Sequence, residues 1–340
     1  MPESALTSRT GPANAPTRLR LARALAGRLQ PFGAGKVGRL LYPYECGKRD
    51  RFDFAARAKT GSTFAGSTAD FHAHPFAISG YSEWRNWAVA LALCRSGDVI
   101  VEVGANVGTE TIGFSDIVGS DGRVVAFEPL PAHLTALEAM LGGLRQANVT
   151  LLPYALSDRV GIDTFAVPPP SMSQGIGHLL GPAERASGTT TYYDSPVEMT
   201  VIEVQSRPLD KFATEVRGMR LLVTDAEGAE ILILRGGRRV LGAERPALLL
   251  EASQPHQRRA GFDIAELYNE LRALGYTAYV INKLSLKKVE NPRAGATHSN
   301  WLCLPQDSLQ LIGRVQRYVR RCALMPCVLG LNPLTQPRRR

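Results

Sequence analysis

Residues 99–108 read Val-Ile-Val-Glu-Val-Gly-Ala-Asn-Val-Gly, and few folds accommodate such a run. A short apolar strand closes on an acid, Glu102, and a glycine turn follows at once. A second apolar run, Val124-Val125-Ala126-Phe127, ends in Glu128. From there to residue 305 strand-like and helix-like segments alternate. Strands are expected near 99–103, 123–128, 149–154, 220–225, 246–251, 276–281 and 300–304, and helices near 107–118, 131–142, 228–241 and 263–274. Alternation of this kind predicts an α/β fold, a mostly parallel sheet with helices on both faces. Right-handed crossovers then set the carboxyl ends of the strands along one edge, where ligands bind. Glu102, Glu128, Asp225 and Glu251 each end a predicted strand. Acids at four strand ends point to a site.

The turn argues against two familiar ligand chemistries. A dinucleotide fingerprint would have glycine where Asn106 stands, and a phosphate loop would continue into Gly-Lys-Ser/Thr. Glycines at 104 and 108 let the backbone approach a ligand. Glu128 lies 24 residues after Gly104, close to the roughly 20-residue spacing of a ribose acceptor. Few phosphate-cradling glycines with a strong ribose acceptor suit a nucleoside cofactor that lacks a pyrophosphate, as S-adenosylmethionine does. A nicotinamide-dependent oxidoreductase is the enzyme alternative. An inactive protein that binds a partner or a membrane is the non-enzyme alternative. In the same scheme Glu102, Gly104, Asn106 and Gly108 form the cofactor turn, and Ser157 or Asp158 after the third strand hydrogen-bonds the adenine amino group.

The second constellation is Leu221 to Glu230, where a buried strand ends in Asp225 and a turn carries Glu227 before Gly228 opens a helix. Glu230 falls in the first helical turn, where the helix dipole favours an acid, and reads as a capping residue. Asp225 and Glu227 both reach the cleft above the sheet edge. Two carboxylates there divide between positioning and proton removal, or hold a divalent cation such as Mg²⁺. The residues do not choose between these, and no metal ligand set is assigned. His256 follows the fifth strand and is the reserve base, since imidazole titrates near neutral pH. His72, His74, His133, His178 and His298 lack strand-end placement and rank below it.

The basic charge sits away from that cleft. Of the formal net charge of +9, residues 1–59 carry +8 and residues 307–340 carry +6, so the body between them is acidic. This argues against nucleic acid, which needs a basic groove at the site. It leaves the flanks suited to an anionic membrane or a partner. Residues 1–80 read as a basic, partly irregular extension, with a short amphipathic helix over Arg18–Arg28. Residues 81–306 read as the catalytic domain, with a Pro/Ser/Gly/Thr-rich lid at 168–196 and an additional strand over Val197–Val204. Residues 307–340 read as a basic amphipathic helix and tail, expected to pack on its own domain, with the last three arginines solvated. Five cysteines without metal-ligand spacing fit a reducing cytoplasm.

Several spaced motifs together resemble the FkbM-type methyltransferases. They are Glu102-Val-Gly-Ala-Asn106-Val-Gly108, Ala126-Phe-Glu128-Pro129, Ala155-Leu-Ser-Asp158, Asp225-Ala-Glu-Gly-Ala-Glu230, and Arg245-Pro246 running on to Glu251. Gly80-Tyr81-Ser-Glu83 and Asn300 to Pro305 resemble the family's ends, so the likeness covers residues 81–305. It implies the Rossmann-like class I methyltransferase fold with seven strands, and S-adenosylmethionine as methyl donor. It further implies a hydroxyl acceptor on a sugar, glycan or secondary metabolite. Glu102, Gly104 and Asn106 would line the methionine end, Glu128 the ribose and Asp158 the adenine, with Asp225 and Glu227 facing the acceptor.

Overall fold

The computed structural model describes residues 15–170, 172–192, 195–293, 298–328 and 330–336. The three terminal arginines, expected to be a solvated tail, lie outside these residues. Helices α1 (Thr17–Ala26), α2 (Pro31–Leu41) and α3 (Tyr44–Arg49) lead into a hairpin, β1 (Asp53–Arg57) with β2 (Thr63–Ser67), and then helix α4 (Ala73–Ser79). Helix α1 answers the short amphipathic helix expected over Arg18–Arg28, and the described stretch that follows, to residue 80, is more regular than the partly irregular extension expected. Sequence periodicity was weak over α2 because much of the face that packs inward is Pro31, Ala34 and Gly38. Helix α5 (Trp84–Leu93) follows and is buried nearly all round.

The main sheet grows from strands β3 (Val99–Val103), β4 (Arg123–Phe127) and β5 (Val149–Leu152), joined by α6 (Thr111–Val118) and α7 (Pro131–Leu141). Period two sorts its side chains between two cores. Ile100, Val124 and Ala126 face α5 and α6, whereas Val101, Val103, Val125 and Phe127 face the opposite layer. Full burial of such side chains stabilises the fold by about 1.5–3 kcal/mol each.

After β5 the chain leaves this sheet. Strands β6 (Ala155–Leu156), β7 (Gly161–Val167), β8 (His178–Leu179) and, later, β11 (Thr200–Arg207) form a separate four-stranded sheet in the order β6-β11-β7-β8. The strand expected at 197–204 therefore belongs to this second sheet, shifted by three residues. Between β8 and β11 lie helix α8 (Pro182–Ser187) and the short pair β9 (Thr191–Tyr192) with β10 (Ser195–Pro196). The expected lid is thus built of short elements, with Ile176, Leu180 and Met199 in a small core of their own.

The chain returns through β12 (Met219–Thr224), α9 (Glu230–Gly236), α10 (Arg238–Glu244), β13 (Ala247–Ala252), α11 (Gln254–Arg259), α12 (Ile264–Ala273), β14 (Tyr276–Ile281), β15 (Leu286–Lys288) and β16 (Ser299–Pro305). One helix was expected over 228–241. It breaks at Gly237, whose φ of −112° and ψ of 8° leave the helical region, just after Gly236, which abuts the Ser157 carbonyl too closely for any side chain. The main sheet has eight strands in the order β15-β14-β16-β13-β12-β3-β4-β5. Strands β13 to β5 are parallel and β16 runs antiparallel between β13 and β14. The eighth strand, β15, is an edge addition to the seven expected. Helix α13 (Ile312–Leu324) packs through Val315, Val319 and Cys322 as part of the core that includes α5. Among the described residues no helix is long and apolar enough to cross a membrane.

Candidate active site

A cavity of about 600 Å³ opens above the carboxyl edge of the main sheet, and all four strand-end acids, Glu102, Glu128, Asp225 and Glu251, line it. The glycine turn that follows β3 forms one wall. Gly104 has φ +84°, and a Cβ there would overlap the Asp225 carbonyl oxygen. Asn106 also takes a left-handed conformation, φ +51°, which asparagine tolerates better than most residues. These two turns bring the Asn106 amide to Glu128, where it donates to Oε2 at 2.9 Å. The Leu130 amide donates to Oε1 at 2.9 Å, and His133 Nδ1 stands 3.3 Å from the same oxygen. Glu128 is therefore fixed between the turn and the start of α7. Asn106 Oδ1 is buried with no hydrogen-bond partner among the described residues, an acceptor that a ligand's donor would satisfy.

Beside Glu128 the cavity turns apolar. Leu130, Ala155, Phe165 and Leu179 form a slot where the second sheet meets α7. At the opposite end Phe71 and His72, just before α4, face Ser173, Gln174 and Gly175 of the insertion. His72 Nε2 lies 3.4 Å from Ser173 Oγ, so the N-terminal segment and the insertion meet over the cavity.

Below them three carboxylates and two imidazoles converge. His256 Nδ1 is 2.9 Å from Glu251 Oε2 and 3.1 Å from Glu227 Oε2, while His298 Nδ1 is 3.2 Å from Glu251 Oε1. Arg259 reaches the same Glu227 oxygen at 3.4 Å. Ligand atoms of Glu251, His256 and His298, and those of Asp225, Glu227 and Glu251, lie within 4.8 Å of one another, so either set has the spacing to hold a cation. Burial pushes Glu102 up to about 8, with Glu128 and Asp225 adding to the rise. Burial, then Asp225, pushes Glu227 up to about 8 and raises Glu251 well above the usual carboxyl range. Asp225 is raised as well, chiefly by its enclosure. His256 is pushed down to about 3 by burial and by Arg259. A cavity this rich in carboxylates favours a cationic ligand.

The sequence candidates divide on this geometry. Glu102, Gly104, Asn106, Glu128, Asp225, Glu227 and His256 line the cavity. Gly108, Ser157 and Asp158 do not. Gly108 is needed for its φ of +83° and its close packing on Leu137 and Met140 of α7. Ser157 is buried beside α9, its amide donating to the Arg207 carbonyl at 3.0 Å. Asp158 is exposed and pairs with Arg159 at 3.7 Å. Pairing of β6 with β11 carries this stretch away from the main edge. Glu230 opens α9 as expected, but its side chain ties down the preceding turn instead of a helical amide: one oxygen accepts the Ala226 amide at 3.1 Å and the other accepts from Gln257. Three histidines ranked low also line the cavity, His72, His133 and His298. His298 had a readable signal: β16 runs antiparallel, so the residue just before it falls at the carboxyl end of β13.

The buried acids also set a pH dependence. Glu102 at about 8 and Glu230 at about 7 hold their protons more tightly than an ordinary carboxyl near 4.5. Because the folded values are raised, their contribution to stability is complete below pH of about 4.5. It is lost between that pH and about 7 for Glu230 or about 8 for Glu102, by about 1.4 kcal/mol per pH unit for each group, and the loss levels off above those values. The melting temperature of ligand-free protein should therefore fall steadily from mildly acid to mildly alkaline pH. A flat melting profile over that range would mean that both acids are already ionised at the acid end.

A model of the methyltransferase FkbM domain matches residues 102–278, more than half of the chain. No curated protein matches in sequence. Among solved structures, a methyltransferase FkbM from Methylobacillus flagellatus is 15% identical with a TM-score of 0.38. The match covers 85% of this chain and only 62% of that protein. A precorrin-6y C5,15-methyltransferase from Geobacter metallireducens is 12% identical, covering 65% of this chain and 87% of its own, with a TM-score of 0.37. Aeropyrum pernix fibrillarin, solved with natively bound S-adenosyl-L-methionine, is 14% identical over 65% of this chain and 76% of its own, with a TM-score of 0.34.

Proposed function

The chain belongs to the FkbM methyltransferase family, and from that premise we propose that it methylates a hydroxyl of a sugar, glycan or secondary metabolite with S-adenosylmethionine as donor. The observation that carries the reading is the convergence of Glu102, Glu128, Asp225 and Glu251 on one cavity beside the Gly104–Asn106 turn. In this reading Glu128 accepts from the ribose hydroxyls and the Leu130–Phe165 slot takes the adenine. The free Asn106 oxygen and Glu102 face the methionine end. The donor brings a methyl group already activated by its sulfonium, and it is itself the cation that the crowded carboxylates favour.

The chain's own residues then have two tasks, alignment and proton removal. Asp225 lines the cavity together with Phe71, His72 and Ser173, where the acceptor is read to enter, and the His72 ring is close enough to act on its charge. Its carboxylate takes the hydroxyl proton, with Glu227 and His256 behind it. Residues 168–196 are read as the cover that excludes water from the transfer. We read the reaction as cytoplasmic, where the five buried thiols stay reduced.

Calorimetry on the folded protein tests the donor first. S-adenosylmethionine and its demethylated product should bind with micromolar affinity and NAD should not. Each titration is repeated with Mg²⁺. Binding of NAD, or of none of the three, would overturn the reading. Donor affinity that appears only with Mg²⁺ would assign the carboxylate–histidine cluster to a cation instead of a base.

A further inference from the structure

Helices α1, α2 and α13 come from opposite ends of the chain and form one outer layer. Helix α2 packs against both α1 and α13, while α4 lies beneath α1 and α2, and α5 beneath α13. Their inner faces are spent on that packing, through Leu19, Ala34 and Val319 among others. Their outer faces have an unusual composition. Between Thr17 and Leu41 there are six Lys or Arg, all exposed but the half-buried Arg23, and along α13 there are four exposed Arg, with no acid in either segment.

Large apolar side chains stand among these cations. Leu21 and Leu25, one turn apart on α1, are each 49% exposed, Leu40 at the end of α2 is 77% exposed, and Leu324 at the end of α13 is 56% exposed. Phe32 on α2 is exposed too, with the Lys283 ammonium over its ring. Around them Arg20, Arg28, Lys36, Arg39, Arg317 and Arg321 are exposed. The helical repeat groups these side chains: Leu21 and Leu25 share a face of α1, and Leu40 shares a face of α2 with the cation Lys36.

We propose that this three-helix face docks on a lipid bilayer with anionic headgroups. Cations alone would serve any polyanion, but leucines and a phenylalanine held out among them need a partner with an apolar interior beneath a charged surface. Along a phosphate backbone these leucines find no apolar partner. The absence of acids from both segments removes the intramolecular pairs that would otherwise occupy the arginines.

Co-sedimentation of the full chain with phosphatidylcholine vesicles, with and without phosphatidylglycerol, tests the proposal. Binding should need the anionic lipid and weaken with salt. Two variants separate the contributions, each checked by its melting temperature. Arg317→Glu with Arg321→Glu should weaken vesicle binding by about tenfold or more. Leu21→Ser with Leu25→Ser should also weaken it while leaving retention on heparin unchanged. Equal binding to both vesicle types, no binding to either, or an unaffected leucine variant would each overturn the proposal, the last by showing a polyanion site without insertion.

Discussion

An Asp225→Asn variant is expected to bind S-adenosylmethionine no more than several-fold more weakly, for the loss of one of several carboxylates around the cation, to melt no lower, and to turn over about 10²–10⁴-fold more slowly. The carboxylate makes no side-chain hydrogen bond among the described residues and is exposed where it lines the cavity, so the isosteric amide leaves no packing defect. It does relieve the repulsion that Asp225 imposes on Glu227 and Glu251, which is why stability should hold or rise. What the variant loses is the acceptor for the hydroxyl proton. The alternatives are separable on the same geometry. Glu227, at about 8, is protonated at neutral pH until a cation enters, and His256, at about 3, is neutral but has its Nδ1 between two carboxylates. Single-turnover methyl transfer, measured with whichever acceptor a screen returns, decides. Undiminished turnover would move the base to one of these two.

The sheet and its acid edge were legible because both obey short-range rules. Apolar runs of strand length ended in Glu102, Glu128, Asp225 and Glu251, and parallel topology alone places such ends together. The glycine turn was legible for the same reason, since Gly104 and Asn106 announce left-handed backbone locally. What sequence could not supply was everything fixed by contacts between distant segments. Asp158 looked like an adenine ligand because it follows a strand, yet β6 pairs with β11, some fifty residues on. His72 and Ser173, 101 residues apart, meet only because the N-terminal segment and the insertion fold over one opening. Helix α2 was faint because much of its buried face is Pro31, Ala34 and Gly38, while Phe32 and Leu40 stand exposed, which weakens the usual amphipathic signal.

Glu128→Ala carries the second large effect, on binding rather than turnover. Loss of charge-assisted hydrogen bonds to the ribose should weaken S-adenosylmethionine by about 1.5–3 kcal/mol, roughly ten- to 150-fold in Kd. The same carboxylate also receives the Asn106 and Leu130 amides, so the variant loosens the turn and should melt lower. Weaker binding alone therefore does not establish a ribose contact. A cycle does: a donor analogue lacking the ribose hydroxyls should bind the wild type much more weakly than S-adenosylmethionine, and this difference should collapse in Glu128→Ala. If the two ligands remain as far apart in the variant as in the wild type, Glu128 organises the turn and another group reads the ribose. His133, 3.3 Å from Glu128 Oε1 and facing the same cavity, would then be the next residue to replace.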